Sequence, residues 1–205
     1  MTNSSPFDFT PHPTGDADLL TQLEFLPGLK EILMQRQVHA LEHATVWVLS
    51  ASYPGESFTG SSSRRNQDNE GLGGMSTAEG FYLYGRVNSQ HLLRSVRIAK
   101  ERLTSGEWDL AVHPRCGTNL SVGVLLTAGF AFGMSFLLPK GPIEQAIGLG
   151  IATAAAATVA PDLGSLAQRY LTTAIPFNLE VEEVTVTQDL WGRPAHFVRV
   201  RWRQD

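Results

Sequence analysis

The chain has 205 residues, 42% of them hydrophobic and 18% charged, and a formal net charge of −4. Net acidity argues against a protein held to nucleic acid mainly by phosphate neutralisation, which needs a clustered basic surface, so no nucleic-acid partner is expected. The single cysteine, Cys116, excludes an intramolecular disulfide framework and fits a reducing compartment.

Met1 to Gln22 carries three aspartates and no lysine or arginine, so neither a cleaved secretory signal nor an Arg-rich transit peptide is expected there. Asp16 to Leu26 and Pro27 to about Ser50 have helical periodicity. Pro27 suits a helix start, and Leu29, Ile32, Leu33, Val38, Leu41 and Val46 recur mostly at helical spacing. The second of these helices contains His39-Ala40-Leu41-Glu42-His43, an H-x-x-E-H pattern. One turn separates the two histidines and Glu42 adjoins both, so the three side chains project from one helix face. Two imidazoles at that spacing can chelate a metal ion, and the carboxylate can act on water as a general base, the reversed zincin arrangement. A capped or salt-bridged histidine pair is the plainer alternative, opposed by the cost of burying three such groups without partners.

Tyr53 to Ala78 is rich in Gly, Ser, Asn and charge, which predicts a mobile loop. Phe81-Tyr82-Leu83-Tyr84 predicts a short strand. Asn88 or Ser89 then caps a helix to about Thr104, whose basic face at Arg94, Arg97 and Arg102 either meets lipid head groups or is simply solvated. The next motif is His113-Pro114-Arg115-Cys116-Gly117-Thr118-Asn119. Pro114 keeps a regular helix out of this segment, so His113 and Cys116 sit in a turn, and Thr118 or Asn119 caps the helix that follows. A helix N-terminus lowers a thiol pKa, which suits Cys116 to be a thiolate ligand or nucleophile, while a neutral His113 suits a ligand. With His39 and His43 these residues supply three or four metal ligands. Four would close a structural site, whereas three would leave a position for water. The alternative is an inert thiol in a Pro-Gly turn.

Charge is nearly absent from Gly117 to Ala160, where 44 residues contain only Lys140 and Glu144. Asn119 to Leu138 is uncharged over about the length needed to cross a bilayer. Pro139-Lys140-Gly141-Pro142 breaks the helix, and Ile143 to Ala160 follows with the small-residue run Ala152 to Thr158, which permits close helix packing. A transmembrane hairpin is expected, the alternative being a buried hairpin in a soluble bundle. Arg94, Arg97, Lys100, Arg102, Arg115 and Arg169 flank its outer ends while the connecting loop has only Lys140, so both termini should face the cytoplasmic side. Leu179 to Gln188 alternates apolar and polar with a one-residue slip, and His196 to Trp202 is apolar around arginines. Asp189 to Pro194 turns one into the other as a β-hairpin.

The blocks His39 to His43, His113 to Thr118 leading into the hydrophobic span, Pro161 with Leu163 and Gln168, Leu171-Thr172-Thr173 and Leu179-Glu180-Val181 resemble those of the YqhQ-type family. These are bacterial membrane proteins described as predicted metal-dependent enzymes. The chain also looks similar to shorter uncharacterised cyanobacterial proteins, which implies a plasma or thylakoid membrane. Ala40, Leu41 and Asp162 depart from the YqhQ pattern.

The expected fold class is mainly α with a small β part, a transmembrane helical hairpin plus a cytoplasmic α+β region. The expected organisation is N-terminal helices over 1–50, a flexible loop over 51–80, and a strand, basic helix and turn over 81–116. The membrane hairpin covers 117–160, and 161–205 is a cytoplasmic segment ending in a β-hairpin. The expected function is a membrane-anchored zinc-dependent hydrolase acting on a membrane lipid or membrane protein. Its metal ligands come from His39, His43, His113 and Cys116, with Glu42 as general base. The alternative is a non-catalytic assembly or scaffold factor in which a structural metal or polar cluster locks the parts together.

Overall fold

The computed structural model describes residues 11–52 and 68–203. The chain divides into two compact units, Met1–Ala111 with Thr173–Asp205, and Val112–Thr172. Among the described residues the protein is mainly helical, with five α-helices and one four-stranded antiparallel sheet.

In the first unit α1 (Gly15–Gln22) leads through a turn to α2 (Leu29–Ser52). Gly28 makes the bend at φ +82°, a left-handed conformation that only glycine adopts cheaply, so α2 starts at Leu29 and not at Pro27. The same turn ends α1 at Gln22, four residues short of the expected Leu26. β1 (Gly73–Thr77) and β2 (Gly80–Tyr84) form a hairpin with Thr77 opposite Gly80. Gly73–Thr77 falls within the stretch expected to be a loop. Pairing along β2 supplies the order that its own Gly/Ser composition does not. The part of that predicted loop over 53–67 lies outside the described residues. α3 (Ser89–Thr104) starts as expected, with the Asn88 side chain accepting from the backbone N–H groups of Gln90 and His91. A 3₁₀ turn, Trp108–Ala111, closes this part of the chain.

After the second unit, β3 (Leu179–Gln188) and β4 (Pro194–Trp202) pair antiparallel and complete a sheet of order β1-β2-β4-β3. The slip in the β3 alternation is a register shift between Val181 and Glu183. The sheet packs on α2 and α3, and the core joins Val38, Leu41 and Leu49 to Phe81, Leu83, Leu92, Val96, Leu103, Leu179 and Val198. Each such side chain contributes about 1.5–3 kcal/mol on burial.

The β3–β4 turn is held by Asp189. Its carboxylate accepts from the backbone N–H groups of Trp191 and Arg193, from Arg193 Nε and from Tyr84 Oη. Burial alone raises the Asp189 pKa, but these hydrogen bonds outweigh it and hold the group at about 2 instead of 3.8. Because the folded value is depressed, the stabilisation is complete above about pH 4 and disappears as pH falls through about 2. The Tm of the wild type should therefore drop across this window, and Asp189→Asn should lower Tm at pH 7 while flattening the acid limb. Parallel acid limbs in the two proteins would refute the assignment.

The second unit contains α4 (Gly117–Leu137) and α5 (Pro142–Ala167), which continues as a π turn over Gln168–Thr172. α4 packs on α5 through small residues. Gly148, Ala152, Ala156 and Gly164 are the buried positions of α5, spaced at multiples of four. A Cβ at Gly148 would lie 2.7 Å from Leu138 Cδ1, and Gly123 already sits 3.7 Å from Ala160 Cβ by the same measure. Leu125, Phe132, Phe136, Ile143, Ile147 and Ile151 remain exposed. The 21 residues of α4 rise about 31 Å, close to the ~30 Å hydrocarbon core, and both helices are long and apolar enough to cross a membrane.

Two expectations for this unit change. α5 does not stop before Pro161 but runs through it to Ala167, a kind of interruption that hydrophobic helices tolerate, and Ser165 Oγ donates to the Pro161 carbonyl at 2.9 Å. The N-cap of α4 is Cys116, not Thr118 or Asn119, with its sulfur accepting from the Thr118 N–H at 3.4 Å. Gly148→Leu should separate the helices and lower the thermal stability of the full chain in detergent. Gly150→Leu, where a side chain meets open space, should not.

Candidate metal centre

α2 is buried almost all round from Gln37 to Ser50, with only His39 and Trp47 partly accessible over that stretch. The H-x-x-E-H segment therefore lies in the middle of the first unit. As the spacing predicts, His39 and His43 are neighbours, their ring centroids 4.3 Å apart. His43 Nδ1 lies 2.7 Å from the carbonyl oxygen of Ala111. A carbonyl can only accept, so Nδ1 carries the proton and Nε2 keeps the lone pair. This fixes the tautomer and the ring orientation together. Ala111 precedes His113 by two residues and Cys116 by five. The returning chain is also fastened to α2, since Arg36 donates to the Thr173 carbonyl at 3.1 Å and the Ala174 N–H donates to the Arg36 carbonyl at 3.0 Å.

Glu42 is buried and faces β1, where Ser76 Oγ donates a short hydrogen bond to Oε2. Gly74, two residues earlier and on the same side of the strand, leaves the space that the carboxylate fills. A Cβ built on Gly74 would fall on the Glu42 side chain. Burial raises the Glu42 pKa above the ordinary carboxylate value, opposed by the Ser76 hydrogen bond and by the charge of nearby His39.

The other two predicted ligands belong to the hairpin unit. Cys116 is buried at the N-cap of α4, with its sulfur accepting from the Thr118 N–H. His113 is buried as well, and its Nδ1 accepts from the Arg115 N–H at 3.3 Å, which leaves the proton of the neutral ring on Nε2. Among the described residues, His39 and His43 in the first unit and Cys116 in the second each offer one atom of a type that ligates a metal.

A protein-family model described as "Domain of unknown function (DUF6391)" matches residues 34–184. The chain belongs to this family. The matched span runs from α2 into β3 and so contains every candidate ligand, Glu42 and both apolar helices. An uncharacterized protein of the cyanobacterium Picosynechococcus sp. (strain ATCC 27264 / PCC 7002 / PR-6) is 52% identical over 198 residues, which cover 95% of this chain and 93% of that protein. No solved structure matches. The expected kinship with uncharacterised cyanobacterial proteins holds, and the family that matches is DUF6391.

Ser76, Gly74 and Ala111 also contact the motif, and no sequence pattern marks them. Ser76 and Gly74 lie in the stretch read as a loop, and Ala111 contributes only a carbonyl. The Gly74 notch gives a sharp expectation. Gly74→Ala should destabilise the protein by about 1–3 kcal/mol by overpacking against Glu42, whereas Gly73→Ala, whose Cβ would meet only Tyr84 at 4.0 Å, should be mild. In a Glu42→Ala background the Gly74→Ala cost should largely vanish. Additive losses in chemical denaturation would show that the two residues do not share the space.

Proposed function

We propose that the chain is a membrane-anchored metal-dependent hydrolase in which His39 and His43 hold zinc with Cys116 as third protein ligand, while Glu42 acts as general base. The observation that carries this reading is the hydrogen bond from His43 Nδ1 to the Ala111 carbonyl. Metal-ligating histidines are oriented by such a bond on the nitrogen that does not ligate. Chain connectivity supports it, since five residues of backbone keep Cys116 within about 18 Å of that carbonyl. The donor set also fits zinc, which takes imidazole and thiolate ligands. When bound, zinc would supply Lewis-acid activation of water at neutral pH. Burial moves the proton affinity of Glu42 towards the range in which a general base works best. The likeness of the His39 to His43 and His113 to Thr118 blocks to YqhQ-type proteins, described as predicted metal-dependent enzymes, points the same way.

In this reading the two apolar helices lie in a plasma or thylakoid membrane with both termini on the cytoplasmic side, as the arginines at the outer ends of the hairpin and the lone Lys140 in its loop favour. The substrate is then a membrane lipid or a membrane protein. One observation favours a second reading: Glu42 is seated in the Gly74 notch and bonded to Ser76, as a purely structural group would be. The chain would then be a non-catalytic assembly factor, with His113 added to a closed four-ligand metal site.

Metal content and coordination decide between these. The full-length chain, purified in detergent, should carry one zinc per chain with a solvent-exchangeable position, and His39→Ala or His43→Ala should lose it. Glu42→Gln should keep the zinc yet fail to complement a deletion strain. A metal-free wild type sinks the metal reading, whereas a closed four-ligand site, or full complementation by Glu42→Gln, sinks the hydrolase and leaves the assembly factor.

A further inference from the structure

At the base of the hairpin four residues form a chain of hydrogen bonds that starts at buried Gln168 and His113 and ends at exposed Pro114. Gln168, fully buried at the first position of the π turn, accepts at Oε1 from the His113 N–H at 2.8 Å and donates from Nε2 to Asn119 Oδ1 at 2.7 Å. Asn119 Nδ2 in turn donates to the Pro114 carbonyl at 2.8 Å. The amide orientations follow from chemistry: a backbone N–H can only face the glutamine oxygen, and a carbonyl can only face the asparagine NH₂ group. The Cys116 N–H donates to the His113 carbonyl, and the Asn119 N–H donates to the Cys116 carbonyl. The backbone on both sides of Cys116 is therefore anchored to this circuit.

Two further features accommodate the circuit. α5 has glycine at position 164, where a Cβ would fall on the Asn119 amide, and Thr118 Oγ1 lies 3.2 Å from Thr172 Oγ1. A leucine at position 168 would close the hairpin base without desolvating an amide, which costs free energy unless every polar atom is satisfied. π turns also concentrate at functional sites.

We propose that Gln168 is a positioning residue that fixes the His113–Cys116 turn, and through it the Cys116 sulfur, for metal binding. The proposal rests on the metal-site reading above. It is tested on the full-length chain in detergent, by zinc affinity from chelator competition and by the thiolate-to-metal charge-transfer band of the cobalt-loaded protein. Gln168→Leu should weaken zinc binding 10- to 100-fold and shift or weaken the band, while the helical circular dichroism is unchanged. Gln168→Glu, which keeps an oxygen towards the His113 N–H, should recover part of both. Wild-type affinity with an unshifted band in Gln168→Leu overturns the proposal. If that variant does not fold, wild-type values in both Gln168→Glu and Asn119→Asp do so. Amide exchange at His113 in the metal-free protein separates this failure from that of the underlying reading. If the wild type binds no zinc while His113 still exchanges slowly, the hydrogen-bond circuit stands but the metal role, and with it the proposal, falls.

Discussion

A helix buried on nearly every side imposes a condition on each polar side chain it carries: the partner must come from the protein. α2 meets it at every level. Gln37 bonds to Asp16 and Asn178, Thr45 returns its hydroxyl to the Leu41 carbonyl, Glu42 takes Ser76, and His43 takes the Ala111 carbonyl. Leaving any one of them unpaired would cost about 1–3 kcal/mol, a sizeable part of the stability of a domain this size. The positions of β1, of the 3₁₀ turn and of the strand that follows Thr173 are therefore tied to α2 by polar as well as apolar contacts. The H-x-x-E-H motif is part of what assembles the first unit.

The hairpin unit follows a different rule. Its exposed surface is apolar and its helix interface is made of small residues, so contact there comes from close approach and not from large side chains meeting in a core. Polar groups collect at one end, in the circuit of His113, Pro114, Asn119 and Gln168. The asparagine and glutamine bond to each other and to backbone atoms, which satisfies amides that burial would otherwise leave unpaired. The same end carries Cys116 as the N-cap of α4. Sulfur is a weak acceptor, so this cap is weaker than serine, threonine or asparagine would make.

Much of this architecture is legible in the sequence because it is local. The helical spacing of His39, Glu42 and His43, the Asn88 cap, the apolar runs of α4 and α5 and the slipped alternation of β3 each declare themselves within a few residues. What escapes is decided by distant partners. Gly73–Thr77 has a loop composition and becomes a strand only because β2 pairs with it. Pro161 reads as a helix end, yet the helix passes through it while packed against α4. Ser76 and Gly74 gain their meaning from a carboxylate more than thirty residues away in the chain, and no local pattern encodes that. Cys116 stands out in the sequence as a candidate ligand but not as a cap, since sulfur ranks low among capping groups.

The two tautomers argue further about how the ligand set divides. His43 donates from Nδ1 and so presents Nε2 with a lone pair, whereas His113 accepts at Nδ1 and so keeps its proton on Nε2. A metal ion approaching both rings through Nε2 would find one ready and would have to displace a proton from the other. Cys116 presents a sulfur at the N-cap of α4, and its use as a ligand involves no change of tautomer. On the metal reading proposed above, this is the reason to draw the ligands from His39, His43 and Cys116 before His113. With three protein ligands a position remains for water, and a buried glutamate of raised proton affinity belongs to the same helix turn. In the hydrolase proposed above, that combination is what would set the centre apart from one that only holds a helix in place.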